Sequence, residues 1–352
     1  MREFLVDKVS DLHQGDREVG MDIMGSLAAT SYRDDSTKDK AQRGMKLTDD
    51  EIIGNAFIMF LAGHETTANV LHFTLLELAN NPAAQRQMQQ DVDAIFGNGD
   101  PDTWDYEEAT NAMMGSMLAA VMNETLRMMP PVVEVPKVVN PEQGDQTITI
   151  DGVKHILPAG MYVGLGVASA ARNRRYWPST KPSRVSGEPT DLNDWVPERW
   201  FRPSPKDEQS PTPIEGATAA DEYFGGCTGS DTGSDTSTQL FRPVRGSFIP
   251  FSDGPRSCLG RRIAQIEIIA TLAVIFQRYS IENAVDEWAG EEEVSRMSQR
   301  EKEELYGKAT RRSRETLRQA QSVVTLKLHG GKHVPVRLVK RGQERFVNWI
   351  DM

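Results

Sequence analysis

Residues 251–260 (FSDGPRSCLG) combine a thiol and a cation in a glycine-rich segment. Cys258 is one of two cysteines in the chain, and Arg256 lies two positions before it. A cysteine binds metals as the thiolate, a form that nearby cations and helix N-terminal amides favour. Gly254 and Gly260 would let the backbone approach a flat ligand, and Arg256 could pair with a carboxylate of that ligand. The segment therefore predicts a metal-ligating thiolate. The alternative is a buried structural cysteine in a turn.

A second group of reactive residue types lies within a long apolar segment, in the run AGHETT at 62–67. An acid and a hydroxyl inside an apolar helix cost free energy unless they are used or satisfied. Glu65 and Thr66 could therefore serve in proton delivery, or they could mark a polar kink in a core helix. His64 and Glu65 also begin the zinc-peptidase pattern His-Glu-x-x-His, but Ala68 stands where the second histidine is required.

A third candidate is the pair Glu124 and Arg127, which are three residues apart and so share one face of a predicted helix. Most pairs with this spacing are surface ion pairs. Here the neighbouring residues Met122, Leu126 and Met128 are apolar, which favours a buried position.

Segment 251–260 resembles the haem-binding loop of the cytochrome P450 monooxygenases, Phe-x-x-Gly-x-Arg-x-Cys-x-Gly, with every fixed residue type present. The resemblance implies haem b as the cofactor, with Cys258 as the axial thiolate of its iron. It also implies that the macrocycle is supported by Phe251, Gly254, Arg256, Gly260 and Ala264.

The other candidates resemble further motifs of the same family. The run at 62–67 is similar to the oxygen-activating motif, in which an acid and an alcohol, here Glu65 and Thr66, deliver protons. Glu124 and Arg127 match Glu-x-x-Arg, and Arg199 completes the family's scaffold triad in the run WVPERW, where tryptophan replaces the usual phenylalanine. Lys137 matches a basic residue near a haem propionate, or it is a solvent lysine.

One segment departs from the family pattern. Residues 171–173 read Ala-Arg-Asn where relatives often have His-x-Asp. This departure leaves a propionate contact at that place in doubt.

The function implied by the resemblance is insertion of one oxygen atom from O₂ into a lipophilic small molecule. Electrons would come from NADPH through a flavoprotein reductase, which would dock on the basic face of Arg256, Arg261 and Arg262. Two alternatives remain open: a haem-thiolate isomerase or dehydratase that does not use O₂, and an inactive truncated fragment. The resemblance covers the C-terminal part of the family fold, without its N-terminal helices.

Bulk composition narrows the class of protein. The chain has 352 residues and a net charge of −11, which argues against a nucleic-acid partner. Two cysteines form no disulfide framework, which favours a reducing compartment.

The resemblance implies that full-length relatives lie at the cytosolic face of the endoplasmic reticulum membrane. The first residues contain neither an apolar run of transmembrane length nor a signal-peptide core, so we predict no membrane anchor in this chain. A low-complexity insertion at 203–246 is typical of a eukaryotic, fungal enzyme of secondary metabolism.

Periodicity predicts helices and short strands, and the resemblance implies a mainly α fold with small β-sheets that forms one partial haem-binding domain over 1–352. We expect helices within 1–30 and at 48–80, 82–95, 106–128, 167–176 and 259–279, and strands within 132–165 with a hairpin turn at 151–152. A solvated loop is predicted at 33–46 and a C-terminal hairpin from 323–328 and 334–339. Residues 203–246 are predicted to be a disordered insertion and 286–320 an exposed, charged helical insertion.

Overall fold

The computed structural model describes residues 6, 25–28, 47–179, 182–183, 185–201 and 240–346. The chain divides into two compact units, Met1–Glu65 and Thr66–Met352. In the first unit, residues 25–28 are helical, and Ala28 and Ile52 form a small buried cluster with their neighbours. The loop predicted at 33–46 and most of the helical region predicted at 1–30 lie outside the described residues.

Helix α1, Asp49–Asn80, has 32 residues and contains the motif at 62–67. It begins where the sequence predicts, with a capping box: Thr48 N donates to Glu51 Oε2 at 2.8 Å, and Glu51 N donates to Thr48 Oγ1 at 3.3 Å. Pro82 opens the next helix two residues after α1 ends. At 1.5 Å per residue, α1 is about 48 Å long.

The remaining helices agree with the predicted mainly α class. They are α2 (Pro82–Phe96), α3 (Tyr106–Met114), α4 (Met117–Met128), α5 (Val167–Ala170), α6 (Arg261–Arg278), α7 (Glu291–Arg296) and α8 (Gln299–Leu317). The single helix predicted at 106–128 was wrong. The chain breaks at Gly115, and the Ser116 hydroxyl accepts from Leu118 N at 3.2 Å, which starts a new helix. The helix predicted at 167–176 is also shorter, because only its first turn forms.

The core of the second unit surrounds α4. Residues 117–122 of this helix are all completely buried, and α4 packs with α2 and α6. A helix that is apolar on every side belongs inside a domain. An aromatic group of Trp177, Trp200 and Phe248 covers the same core, with ring centroids 5.0 to 5.9 Å apart.

The described strands form two-stranded antiparallel sheets. The pairs are β1 (Glu134–Val138) with β4 (Tyr162–Gly166), β2 (Gln146–Ile150) with β3 (Val153–Leu157), β5 (Tyr279–Asn283) with β8 (Val336–Lys340), and β6 (Gln321–Ser322) with β7 (Leu326–Lys327). The turn predicted between β2 and β3 is confirmed. Asp151 and Gly152 both have positive φ, 48° and 81°, as tight hairpins require.

The C-terminal hairpin was predicted with the wrong partners. Residues 334–339 do not pair with 323–328; β8 pairs instead with β5, which directly follows α6. Four of the five residues of β5 are buried, so its backbone groups need a partner strand rather than water.

The two predicted insertions have different outcomes. Residues 203–239 of the first insertion lie outside the described part of the chain, so disorder there stays a prediction. Its predicted extension to 246 was wrong, because residues 240–246 are described and Leu240 is buried in the core. The range 286–320 contains helices α7 and α8, as predicted, but α8 buries one face through Tyr306, Ala309, Ser313 and Leu317.

Candidate functional site

The segment around Cys258 is a tight loop closed by its own backbone. Cys258 N donates to Phe251 O at 2.8 Å, and Ser257 N donates to Gly254 O at 3.0 Å. Ser252 and Gly254 have φ values of 61° and 77°, a left-handed conformation that glycine adopts freely and serine rarely. The loop therefore has a fixed path immediately before the thiol.

The thiol of Cys258 is exposed and forms no disulfide. It lies three residues before α6 begins at Arg261, where no side chain caps the helix. The thiol is therefore accessible to a ligand close to the start of α6. A structural cysteine of the alternative interpretation would be shielded from solvent, and this one is not.

Other side chains of the loop are also directed away from the core. Leu259 is 86% exposed. Arg256 is exposed and makes no hydrogen bond or ion pair with any residue that the structure describes. Phe251 is half-buried at the edge of the core, with the Arg261 guanidinium 5.6 Å above its ring. Three groups of the loop are thus available to a ligand: the apolar side chain of Leu259, the guanidinium of Arg256 and the thiol of Cys258. They fit a flat, apolar group that carries carboxylates and a metal.

Two further residues that were predicted to contact the cofactor, Ala264 and Lys137, lie in regular secondary structure. Ala264 lies in the first turn of α6, and its N–H donates to Gly260 O at 2.9 Å. Lys137 lies in β1 opposite Val163, is half-buried, and has no hydrogen-bond or ion-pair partner within the described ranges. Its ammonium group is therefore available to an anion.

The acid–alcohol motif lies in the middle of α1. Glu65 and Thr66 are both half-buried, and they are the last residue of the first unit and the first of the second. A Cβ added at Gly63 would meet no atom within 4 Å, so there is open space beside the helix at this point. Thr67 is buried, and its hydroxyl has no hydrogen-bond partner among the residues described.

The structure brings Glu124, Arg127 and Arg199 together in the core. Glu124 is completely buried. Arg127 binds it with two parallel hydrogen bonds, Nε to Oε2 at 2.8 Å and Nη2 to Oε1 at 2.9 Å. Arg199 Nε donates to Oε1 at 3.0 Å. The three side chains form a buried ion cluster rather than the surface pair that their spacing also allowed.

Two further donors to Glu124 were not predicted. Val196 N donates to Oε1 at 2.8 Å, and the Trp200 indole N–H donates to Oε2 at 2.9 Å. The one signal in the sequence was the tryptophan in place of the family phenylalanine, since only tryptophan brings an N–H. Burial raises the pKa of Glu124, but attraction to Arg127 and Arg199 outweighs it, so the pKa lies below its ordinary value.

The remaining donors of the two arginines bind backbone carbonyls, and Arg199 Nη1 also lies 3.5 Å from the Asp191 carboxylate. Arg127 Nη1 donates to Ala171 O at 3.0 Å and to Leu192 O at 2.9 Å. Arg199 Nη1 donates to Pro178 O at 3.1 Å, and its Nη2 donates to Asp191 O at 2.8 Å. The cluster thus ties α4 to two loop segments that follow the β1–β4 sheet.

The segment that departs from the family pattern also belongs to this scaffold. Arg172 donates to Met128 O at 2.6 Å and to Ala168 O at 3.0 Å. Burial, together with repulsion from Arg127, lowers the pKa of Arg172 to about 10, so it stays charged at neutral pH. Its guanidinium supports the end of α4.

Comparison with known proteins identifies the family. The model of the family described as Cytochrome P450 matches residues 5–185 and 238–305, which is more than half of the chain. The chain belongs to the cytochrome P450 family, whose members carry haem.

Curated relatives include fungal and human proteins. The chain is 28% identical over 294 residues to cytochrome P450 monooxygenase prx9 of Penicillium rubens, covering 80% of this chain and 44% of the relative. It is 29% identical over 293 residues to cytochrome P450 monooxygenase AOL_s00215g278 of Arthrobotrys oligospora (83% and 42%). Cytochrome P450 3A5 of Homo sapiens is 27% identical over 247 residues (70% and 37%). The aligned region thus spans less than half the length of these relatives.

None of the described helices combines the length and apolarity needed to cross a bilayer. Within the same residues, no group of three His, Cys, Asp or Glu side chains could hold a metal ion. A single axial thiolate needs no such group.

Proposed function

We propose that this chain holds haem b through the Cys258 thiolate and takes part in inserting one oxygen atom from O₂ into a lipophilic small molecule. The observation that carries the proposal is the exposed, unpaired Cys258 thiol on a backbone-closed loop before α6. Bound haem would supply the redox chemistry of dioxygen activation.

The residues around the thiol would hold and orient the cofactor. Arg256 and Lys137 would pair with its carboxylates, since both cations lack a protein partner in the described chain. Phe251, Gly254, Gly260 and Ala264 would shape the loop so that the macrocycle lies close to the backbone. The Glu124 cluster would keep the scaffold in place without touching the cofactor.

Glu65 and Thr66 would handle protons. A positioned acid chain transfers protons as a general acid, and the open space beside Gly63 leaves room for a small molecule or water next to the helix. The assignment of the pair itself rests on the family motif at 62–67.

Electrons would come from NADPH through a flavoprotein reductase. Arg256 and Arg262 are exposed, and Arg261 is half-buried, at the start of α6. A basic patch on a chain of net charge −11 would attract an acidic partner and steer its approach. The rate of electron transfer should therefore fall as salt is added.

The test is turnover of lipophilic test substrates by the haem-loaded chain, with purified reductase, in the presence and absence of NADPH and O₂. The proposal expects product only when both are supplied, with one oxygen atom from O₂. Turnover without O₂ would instead favour an isomerase or dehydratase. Haem loading without any turnover would favour an inactive fragment. Thr66→Val is the matched variant, and it should lower product formed per NADPH consumed while leaving haem content unchanged.

A further inference from the structure

The C-terminal end of α1 is covered by α8 and β5. The last carbonyls of a helix have no partner within the helix. Here the Tyr306 hydroxyl of α8 donates to Ala79 O at 2.7 Å, and Asn283 of β5 donates through Nδ2 to the same oxygen at 3.3 Å. Asn283 N in turn donates to the Tyr306 hydroxyl at 3.1 Å. These polar contacts join three elements at one point.

Apolar contacts extend the same interface. Phe73 and Leu76 of α1 pack in one buried cluster with Leu317 of α8 and with Val334. The family model match ends at residue 305, so the part of α8 that carries Tyr306 and Leu317 lies beyond it. This chain therefore uses a segment outside the family match to hold the second half of α1.

A buried carboxyl lies at this interface without a close cation. Glu77 is 6% exposed. Its carboxyl accepts only long hydrogen bonds of 3.4 Å, from the side-chain amides of Asn80 and Asn81, and it forms no ion pair with a described residue. Two charged groups act on it: Arg314 of α8 attracts its negative charge and Glu124 of α4 repels it. On the β5 side, Asn283 reaches the group only through Asn80 Oδ1 at 3.1 Å.

The charged form of Glu77 is therefore poorly compensated. Burial is the main cause that raises its pKa to about 7, while Arg314 and the two amides oppose the rise only in part. A carboxyl whose pKa is higher in the packed state favours packing when protonated. That contribution is complete below the ordinary pKa of 4.5 and is lost as the pH rises through about 7.

We propose that the contact between α8 and the end of α1 is sensitive to protons through Glu77. The contact is tight when Glu77 is neutral and loosens when Glu77 carries its charge. The inference goes beyond the proposed function, because it concerns a segment outside the family match and does not depend on haem.

Hydrogen exchange of the whole chain, followed by mass spectrometry from pH 5.5 to 8.5, tests the proposal. The measured quantity is the protection of backbone amides in residues 70–80 and 306–317, corrected for the intrinsic pH dependence of exchange. Protection should fall by up to about 30-fold across this range in the wild-type chain. Glu77→Gln should remove the pH dependence and keep the high protection at pH 8.5. A wild-type profile that does not change with pH, or the same profile in Glu77→Gln, would overturn the proposal.

Two further variants separate the proton effect from the contact itself. Tyr306→Phe should lower protection of both segments roughly fivefold at every pH while the pH dependence remains; no loss of protection would show that α8 does not hold the helix end. Glu315→Gln, on the exposed face of α8, should behave as wild type. If it also abolished the pH dependence, general surface charge rather than Glu77 would be responsible.

Discussion

The Glu124 cluster and the Cys258 loop differ in how their reactive groups are satisfied. The Glu124 carboxylate is completely buried and accepts five hydrogen bonds, two from Arg127 and one each from Arg199, Val196 and Trp200. Cys258 is exposed and unpaired. A buried charge must be met by the protein's own donors, or the fold is destabilised. Groups that stay open beside a tightly fixed backbone are available to a ligand.

The two regions match motifs of the same family but have different proposed tasks, scaffolding for the cluster and cofactor binding for the loop. We propose that the cluster is a scaffold, and its contribution can be measured on the protein alone. The loop is the proposed cofactor site, and its role is measurable only with the cofactor. Variants in the first region should therefore change stability first, and variants in the second should change cofactor binding with little effect on stability.

The largest effect is expected from Glu124→Ala. Removal of the carboxylate leaves the buried Arg127 guanidinium without its counter-ion and leaves Arg199 with only the Asp191 carboxylate at 3.5 Å, which should cost about 3–5 kcal/mol in free energy of unfolding. We also expect haem incorporation to be abolished, because the Glu124 cluster that holds the proposed scaffold together is lost. Urea unfolding and haem content measure both. Glu142→Ala, at an exposed position, is the control, and normal haem content in Glu124→Ala would refute the scaffold role.

Trp200→Phe should have an intermediate effect. It restores the family's usual residue and keeps an aromatic ring, but removes a 2.9 Å hydrogen bond to the charged Glu124. Hydrogen bonds to charged groups contribute about 1.5–3 kcal/mol. Trp177→Phe is the matched control, since its indole donates at 3.2 Å to the neutral Ser247 carbonyl and should cost about 1 kcal/mol. Thermal or urea unfolding measures the loss of stability in both variants. An equal loss in the two would show that the Trp200 hydrogen bond to Glu124 contributes no more than the bond to a neutral carbonyl.

The smallest effect on stability is expected from Arg256→Gln in the loop. Arg256 has no partner among the described residues, so the melting temperature should not change. Its loss should nevertheless weaken haem binding several-fold if the guanidinium pairs with a propionate. Haem titration measures the affinity, with Arg242→Gln at another exposed position as the control. Equal affinity in both variants would exclude a cofactor contact by Arg256.

Features with local signals were predictable from the sequence. The start of α1 follows from a capping box formed by Thr48 and Glu51, and its end from Pro82. The turn at Asp151 and Gly152 follows from the preference of tight hairpins for these residue types. The break between α3 and α4 was missed because one glycine within an apolar pattern is also compatible with a continuous helix.

Features that depend on distant parts of the chain were not predictable. The pairing of β5 with β8 joins residues on either side of α7 and α8, and no local pattern selects it over the nearer strand. The buried face of α8 was hidden by its charge density, although Tyr306, Ala309, Ser313 and Leu317 recur at helical spacing. The indole donor of Trp200 became visible only when the fold placed it against Glu124.

The most direct test is the absorbance spectrum of the reduced, CO-bound, haem-loaded chain, recorded for wild type and for Cys258→Ser. The wild-type chain should take up haem and give the spectrum of thiolate-ligated iron. Cys258→Ser should lose that spectrum while it unfolds as cooperatively as wild type, because the side chain is exposed. An unchanged thiolate spectrum in Cys258→Ser, or a wild-type chain that takes up no haem, would contradict the assignment of Cys258 as the iron ligand.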